Sequence, residues 1–214
     1  MGKGIRDISI LKTIRFNLRY FGKKGVYFPV IITKNVILKN MQGKVELESY
    51  KTGNIRIGFD GTGICDVKNQ RSIWDVTGSL FLGENVKIAA GTKIGVGEKA
   101  SLKIGRESSI NVNSQIICMN NISIGGGVII SWDNLIMDSD FHQIQEQTTL
   151  KDVSKPIFIG DKVWIGCRTM VLKGVNIPNG CILAAGGVIT GKYTEKNCLI
   201  SSAGIKKHNV SWIR

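Results

Sequence analysis

An apolar residue returns at every sixth position over a long part of this chain. An α-helix repeats its apolar positions about every 3.6 residues and a half-buried strand every second residue, so neither element explains this period. Short strands that each end at a corner do explain it, because every strand then turns one apolar side chain inward. The unbroken run consists of Ile159, Ile165, Val171, Ile177, Leu183 and Ile189.

A six-residue unit cannot bury its own apolar side chain, so successive units must stack on one another as a solenoid. If three units close one triangular coil, each coil advances by one strand spacing of about 4.8 Å. The period also changes register at residues 100–104 and 122–124, where we expect a bulge or a short loop. Three earlier runs show the same period: Leu82 to Ile94, Ile104 to Ile122 and Ile124 to Ile136.

The longest interruption of the repeat lies between Ile136 and Ile159. It is polar and contains His142, one of two histidines in the chain. Loops on a rigid scaffold often carry function, so a protruding active-site loop is predicted here. The predicted organisation is an N-terminal helix or cap (1–29), irregular first coils (30–80), a repeat β-helix (81–200) with its loop (137–158), and a basic C-terminal tail (201–214).

Residues 5–22 follow a helical period instead. One interpretation is a cap over the open end of the solenoid, and the other is a foot that lies on a membrane surface. The short length and Asn17 favour the cap. The predicted apolar face consists of Leu11, Ile14, Leu18 and Phe21, with Lys12, Arg15 and Arg19 elsewhere on the helix.

The formal net charge of +13 suggests an acidic partner, such as nucleic acid, an anionic membrane or a polyphosphate cofactor. Aromatic residues make up only 7% of the chain, and no nucleic-acid-binding motif is present, so nucleic acid is disfavoured. The five cysteines show no CxxC spacing, which argues against a zinc site or a disulfide framework. Without a signal peptide or a long apolar segment, the expected location is the cytoplasm, with peripheral membrane contact as an option.

Residues 155–190, KPIFIGDKVWIGCRTMVLKGVNIPNGCILAAGGVIT, resemble the hexapeptide-repeat acyltransferases, and SWDNLIMDSDFH at 131–142 is similar to their active-site approach. The resemblance is closest to the branch that O-acetylates sugars and surface polysaccharides, and it covers about residues 80–195. It implies an all-β fold, a left-handed parallel β-helix. It also implies a homotrimer that binds acetyl-CoA in a groove between neighbouring subunits.

The resemblance also implies roles for individual residues. His142 matches the loop histidine that activates the acceptor hydroxyl. The sequence departs from the family after VIT, where Gly191 precedes Lys192, and the C-terminal segment reads SSAGIKKHN. The matched donor-site positions are Trp164, Cys167, Ala184, Ala185 and Thr190, and Lys206 and Lys207 are shifted candidates for the CoA phosphates.

Acetyl transfer to a hydroxyl needs a base, and a histidine, with a reference pKa near ~6.5, suits that role at neutral pH. A carboxylate can hold the ring in one tautomer, and the candidates are Asp138, Asp140 and Glu146. Trp132 and Asp133 either line the acceptor site or form a corner of the coil. His208 is expected to be solvated or close to the phosphates.

The predicted function is therefore an acetyl-CoA-dependent O-acetyltransferase that acts on a saccharide or a surface-polysaccharide precursor. No metal is expected, because a zinc site of the three-histidine type cannot be built from two histidines. One alternative is a non-catalytic β-helix scaffold at an anionic membrane surface. Another is an N-acetyltransferase that acts on an amino sugar.

Overall fold

A computed structural model describes residues 7–59, 66 and 69–213. The helix α1 (Ile10–Phe21) and a 3-10 helix (Gly22–Tyr27) come first, and the strands β1 to β24 follow. Cys118, Cys181 and Cys198 are buried and free, as expected of small core residues, whereas Cys65 lies outside the described residues. No helix in the described part of the chain is long and apolar enough to cross a membrane.

The strands form three faces, which the chain visits in a fixed order. The first face contains β1 (Val30–Ile32), β4 (Ile55–Phe59), β7 (Lys87–Ala89), β10 (Ser109–Ile110), β13 (Ile129–Ile130), β18 (Trp164–Ile165), β21 (Ile182–Leu183), β23 (Leu199–Ser201) and β24 (Gly204–Lys207). The second contains β2 (Val36–Asn40), β5 (Ser72–Val76), β8 (Lys93–Val96), β11 (Gln115–Cys118), β14 (Leu135–Met137), β19 (Met170–Leu172) and β22 (Val188–Ile189). The third contains β3 (Lys44–Leu47), β6 (Ser79–Leu82), β9 (Ser101–Ile104), β12 (Asn121–Ile124), β17 (Ile157–Ile159) and β20 (Asn176–Ile177).

Strands on one face pair in parallel from coil to coil, and only β24 pairs antiparallel, with β23. The fold is the expected left-handed parallel β-helix. The six apolar residues that recur from Ile159 to Ile189 are each at most 3% exposed, so the six-residue period does mark the core. The corners need small residues because the coils approach closely there: a Cβ on Gly105 would lie 2.5 Å from the carbonyl carbon of Gly125.

The register changes at 100–104 and 122–124 fall in the continuous strands β9 and β12, so the expected bulge or short loop is absent there. Strands β9 and β12 pair continuously over four residues, and Leu102 and Ile104 stack on Ile122 and Ile124. A four-residue strand alternates its side chains and therefore buries two of them rather than one. Bulges do occur in the first two coils of the β-helix, at 38–40 in β2 and at 57–59 in β4.

The apolar face predicted for the N-terminal helix does not cover the core, except at Phe21, which is buried. Leu11 is 82% exposed and Leu18 is 48% exposed, whereas Phe16 and Asn17 are fully buried. The helix begins after Ser9, whose side chain accepts a hydrogen bond from the backbone N–H three residues later, at 3.4 Å.

The inward face of α1 contains polar residues because it covers the open edge of the first coil. The Asn17 side chain donates to the Val30 carbonyl at 2.6 Å and accepts from the Val30 N–H at 3.1 Å. Phe16 packs edge-on against Trp74, with ring centroids 5.0 Å apart. The helix thus satisfies the unpaired backbone groups of β1 and covers the end of the core.

Replacing Phe16 by alanine should lower the free energy of unfolding by about 3–5 kcal/mol, because it leaves a cavity beside Trp74. Leu11→Ala on the exposed face should change it by less than about 0.5 kcal/mol. Urea unfolding followed by tryptophan fluorescence measures both. A larger loss for Leu11→Ala than for Phe16→Ala would contradict this assignment of faces.

Candidate active site

The loop predicted from the interrupted repeat leaves the fifth coil, between β14 on the second face and β17 on the third. Within it, β15 (Gln145–Glu146) and β16 (Thr149–Leu150) form a small antiparallel hairpin. At the base of the loop, Ser139 bridges to Ser154, and the Asp140 N–H donates to the Val153 carbonyl at 2.9 Å. The loop therefore has a closed, hydrogen-bonded base.

Asp138 is the main anchor of that base. It is fully buried, and its two carboxylate oxygens accept from the backbone N–H groups of Met119 at 2.7 Å and Asn120 at 2.9 Å. The Cys118 thiol lies 3.6 Å from the same carboxylate, and burial together with this negative charge raises the pKa of Cys118 to about 12. Asp138 therefore holds the loop to the neighbouring coil, and both of its carboxylate oxygens already accept backbone hydrogen bonds.

The other two carboxylates predicted to orient the histidine have partners of their own. Asp140 forms an ion pair with Lys173 at 2.5 Å, and Lys173 also donates to the Asp152 carbonyl. Glu146 pairs with Lys151. His142 is exposed, and within the described residues it makes no intrachain hydrogen bond or ion pair. The structure thus places the three carboxylates near the loop but brings none of them to the ring.

Phe141, directly before His142, has a φ of 61°. A bulky non-glycine residue rarely adopts this left-handed conformation, and such strain often occurs at functional sites. The Phe141 N–H donates to the Ser139 hydroxyl at 3.1 Å, which fixes the turn. Sequence reasoning missed both Phe141 and Lys173, and only the position of Lys173 within the matched VLKGV motif could have drawn attention to it.

Several predicted donor-site residues meet at the corner between the first and second faces. The Arg168 N–H donates to the Trp132 carbonyl at 3.0 Å, and the Gly186 N–H donates to the Cys167 carbonyl at 2.8 Å. The turns 131–134, 166–169 and 184–187 therefore stack on successive coils. Ala185 is exposed on this corner, which leaves its surface open to a ligand.

Trp164 lies on the first face and contacts the C-terminal tail. Its indole N–H donates to the Ser131 hydroxyl at 3.0 Å, and its ring lies 6.3 Å from the Trp212 ring. The Trp212 indole in turn donates to the Lys162 carbonyl at 2.9 Å. Trp164 thus packs the tail against the corner of the coil.

We call the corner formed by the turns 131–134, 166–169 and 184–187 the donor corner, after the role predicted for it. An apolar strip runs along the outer side of the second face, between the donor corner and the base of the loop. Leu135, Met170 and Val188 stack in register, and the last two are more than 40% exposed. Met137 and Leu172 form a second row beside them. Thr190 follows β22 at the far edge of this strip, on the same side as the loop.

The tail brings Glu195, Cys198 and His208 together, with their potential ligand atoms all within 4.8 Å of one another. The His208 ring forms a hydrogen bond with Glu195 at 2.6 Å, so His208 is not simply solvated. Burial and the neighbouring Glu195 raise the pKa of the Cys198 thiol to about 11. Lys206 and Lys207 lie on β24, and both are exposed.

Asp138→Asn should loosen the base of the loop, because the amide group of asparagine turns an N–H toward a backbone N–H and leaves that donor unsatisfied. We expect a loss of about 1–3 kcal/mol in stability and faster tryptic cleavage after Lys151. Asp152→Asn is the matched control, since the Asp152 side chain forms only an exposed ion pair with Lys155 and its backbone carbonyl is unchanged by the substitution. Equal cleavage rates in the two variants would argue against the anchoring role.

No family model matches the chain. The chain is 29% identical over 226 residues to an uncharacterised 24.8 kDa protein in the cps region of Klebsiella pneumoniae, covering 98% of this chain and 97% of that one. It is 23% identical over 144 residues to the putative lipopolysaccharide biosynthesis O-acetyl transferase WbbJ of Escherichia coli K12, covering 62% and 74% of the two chains.

Two solved structures share the fold. The polySia-specific acetyltransferase NeuO superposes with a TM-score of 0.63 at 21% identity, over 87% of this chain and 79% of its own. The N-acyltransferase AntD of Bacillus cereus, solved with dTDP and coenzyme A, superposes with a TM-score of 0.51 at 15% identity, over 86% and 81%. The six-residue period and the β-helix match the fold of these acetyltransferases, and the chain is similar in sequence to named acetyltransferases, which supports an acyltransferase enzyme.

Proposed function

We propose that this enzyme transfers an acetyl group from acetyl-CoA to a hydroxyl of a saccharide, with His142 as the general base. The observation that carries the proposal is the position of the loop. The loop base and the donor corner flank the same strands of the second face, β14, β19 and β22. Each of these strands is two or three residues long, so only about 10 Å of backbone separates the base from the donor corner.

The proposed reaction is a direct transfer. The acceptor oxygen attacks the carbonyl carbon of the thioester while His142 takes the hydroxyl proton. The tetrahedral intermediate then collapses, the carbon–sulfur bond breaks, and the proton held by His142 passes to the departing CoA thiolate. Cys167 does not need to carry the acetyl group, because within the described residues no base contacts its sulfur.

The free ring of His142 supports a site completed by a second subunit. All three carboxylates that were candidates to orient it already bind a backbone amide or a lysine within the same chain. A partner that fixes the tautomer must then come from the substrate or from a neighbouring chain. The exposed apolar strip along Leu135, Met170 and Val188 is a suitable surface for that neighbour, which agrees with the proposed homotrimer.

The donor would lie along the corner formed by Cys167, Ala184 and Ala185, with Thr190 at the far edge of the strip. Lys206 and Lys207 are exposed cations on β24, and we propose that they attract the CoA phosphates. A polyphosphate donor also agrees with the formal net charge of +13. The complex of AntD with coenzyme A supports this choice of donor.

For the acceptor, we propose a saccharide, because WbbJ is named for lipopolysaccharide biosynthesis and NeuO for polysialic acid. Trp132, Asp133 and Glu146 remain the proposed acceptor contacts. Asp133 is partly engaged by Arg168 at 3.7 Å, and Glu146 by Lys151. An amino sugar is the second candidate acceptor, which the likeness to the N-acyltransferase AntD favours.

His142→Ala should lower kcat by about 10²–10⁴-fold, because the acceptor proton loses its base. Acetyl-CoA affinity, measured by calorimetry, should change little, and added imidazole should restore part of the turnover. The control is His208→Ala, which removes the only other histidine in the sequence. Full turnover in His142→Ala, or an equal loss in both variants, would refute the assigned role.

Cys167→Ala should keep kcat within severalfold of the unmodified enzyme, because its side chain carries no acetyl group in a direct transfer. Ala185→Trp should instead weaken acetyl-CoA binding by at least about tenfold, because a bulky ring would fill the exposed donor corner. Steady-state kinetics and calorimetric titration measure the two effects. Loss of turnover in Cys167→Ala with normal acetyl-CoA binding would indicate an acyl-enzyme.

A further inference from the structure

The side of α1 that turns away from the coils is apolar and uncovered. We call this surface the apolar foot, and it includes the exposed residues of the following 3-10 helix. Its members are between 37% and 82% exposed, which is unusual for a cluster of large apolar side chains. The apolar foot consists of Ile10, Leu11, Ile14, Leu18, Val26 and Tyr27.

The two parts of the apolar foot adjoin each other. Gly25 is buried against α1, where a Cβ would lie 2.3 Å from the Asn17 carbonyl oxygen and 3.0 Å from the Leu18 nitrogen. This contact brings Val26 and Tyr27 beside the C-terminal end of the helix. Because Phe16 and Asn17 on the other side of α1 bind the first coil, the apolar foot cannot turn inward without uncapping the core.

Cations surround the apolar foot. Residues 10–27 contain five lysines and arginines and no aspartate or glutamate. Lys12 donates to the carbonyls of Lys34 and Val36 at 2.6 and 2.7 Å, so it serves the fold. The exposed cations are Arg15, Arg19, Lys23 and Lys24, of which Arg19 also donates to the Gln42 carbonyl at 3.3 Å and Lys24 lies over the Tyr50 ring.

We propose that the apolar foot binds the surface of an anionic phospholipid bilayer. Apolar side chains on one side of a short helix bury themselves at the boundary between headgroups and acyl chains, and neighbouring cations bind the lipid phosphates. A second copy of the chain fits less well, because an isologous contact would bring the two sets of cations together. The charge around the apolar foot thus selects lipid over self-association.

Binding in this way keeps the active-site loop close to the membrane. The loop leaves the fifth coil, four strand spacings from the coil that α1 caps, or roughly 19 Å along the axis. The enzyme would then act on acceptors that are themselves held at the membrane surface. This consequence rests on the proposed function, whereas binding of the apolar foot to lipid does not.

The test is sedimentation of the full chain with vesicles of equal parts phosphatidylglycerol and phosphatidylcholine, compared with vesicles of phosphatidylcholine alone. We expect binding to the anionic vesicles at least about tenfold tighter, and weaker binding as salt is added. The double variant Leu11→Ser/Leu18→Ser should reduce the affinity for anionic vesicles by more than tenfold. The double variant Arg15→Gln/Lys23→Gln should reduce that affinity roughly fivefold for each cation removed.

Two matched controls distinguish binding through the apolar foot from nonspecific hydrophobic or electrostatic binding to vesicles. Ile213→Ser removes a 97% exposed apolar side chain elsewhere, and Lys87→Gln/Lys99→Gln removes two exposed cations elsewhere. Both should bind vesicles as the unmodified protein does, and thermal unfolding should show that all variants are folded. Equal binding by the leucine and control variants would overturn the proposal. A second result would also overturn it: no vesicle binding, together with a leucine variant whose oligomer dissociates, as measured by light scattering. The apolar foot would then be a contact between subunits.

Discussion

The stacking of inward apolar side chains between successive coils is the interaction on which the rest of this structure depends. Each coil is covered only by its neighbours, so the open end needs a cap, and the corners need small residues where the backbones meet. The stack also tolerates an insertion at a corner. On either side of the loop the registers continue, with Ile130 stacked on Ile165 and Ile136 on Val171. The loop after β14 therefore extends from the scaffold without displacing the core.

That arrangement explains why the loop can be both exposed and held in place. Asp138 ties the loop base to the preceding coil through two backbone amides, and Lys173 ties Asp140 to the following coil. Fixed anchors on both sides leave His142 free at the end of a strained turn. An exposed His142 ring beside an apolar strip supports the proposal that a second subunit completes the site.

Much of the fold could be predicted from the sequence, because a six-residue period has few structural solutions. The buried positions, the coils and the place of the loop all follow from it. The two changes of register were misinterpreted because a longer strand, which buries two side chains, disturbs the period just as a bulge would. The helix face was misassigned because α1 must satisfy an open strand edge. Its inward side therefore contains Asn17 and Thr13, which a hydrophobicity pattern places outside.

The site was less predictable than the fold. His142 lies on the loop of the fifth coil, and the turns around Cys167 and Ala185 lie on the next two coils, whereas the roles of these residues stay predictions. The partners of the carboxylates could not be predicted, because they depend on contacts between coils that are far apart in sequence. Asp138 binds residues almost twenty positions earlier, and Asp140 binds Lys173, more than thirty positions later.

The central claim is that this β-helix moves an acetyl group from acetyl-CoA to a saccharide hydroxyl. Mass spectrometry of saccharide acceptors incubated with the enzyme and isotopically labelled acetyl-CoA tests it most directly. The account predicts a product that carries one labelled acetyl group and loses it in mild base, as an ester does. A base-stable labelled product would identify an amine acceptor instead, and the absence of any labelled saccharide would contradict the claim.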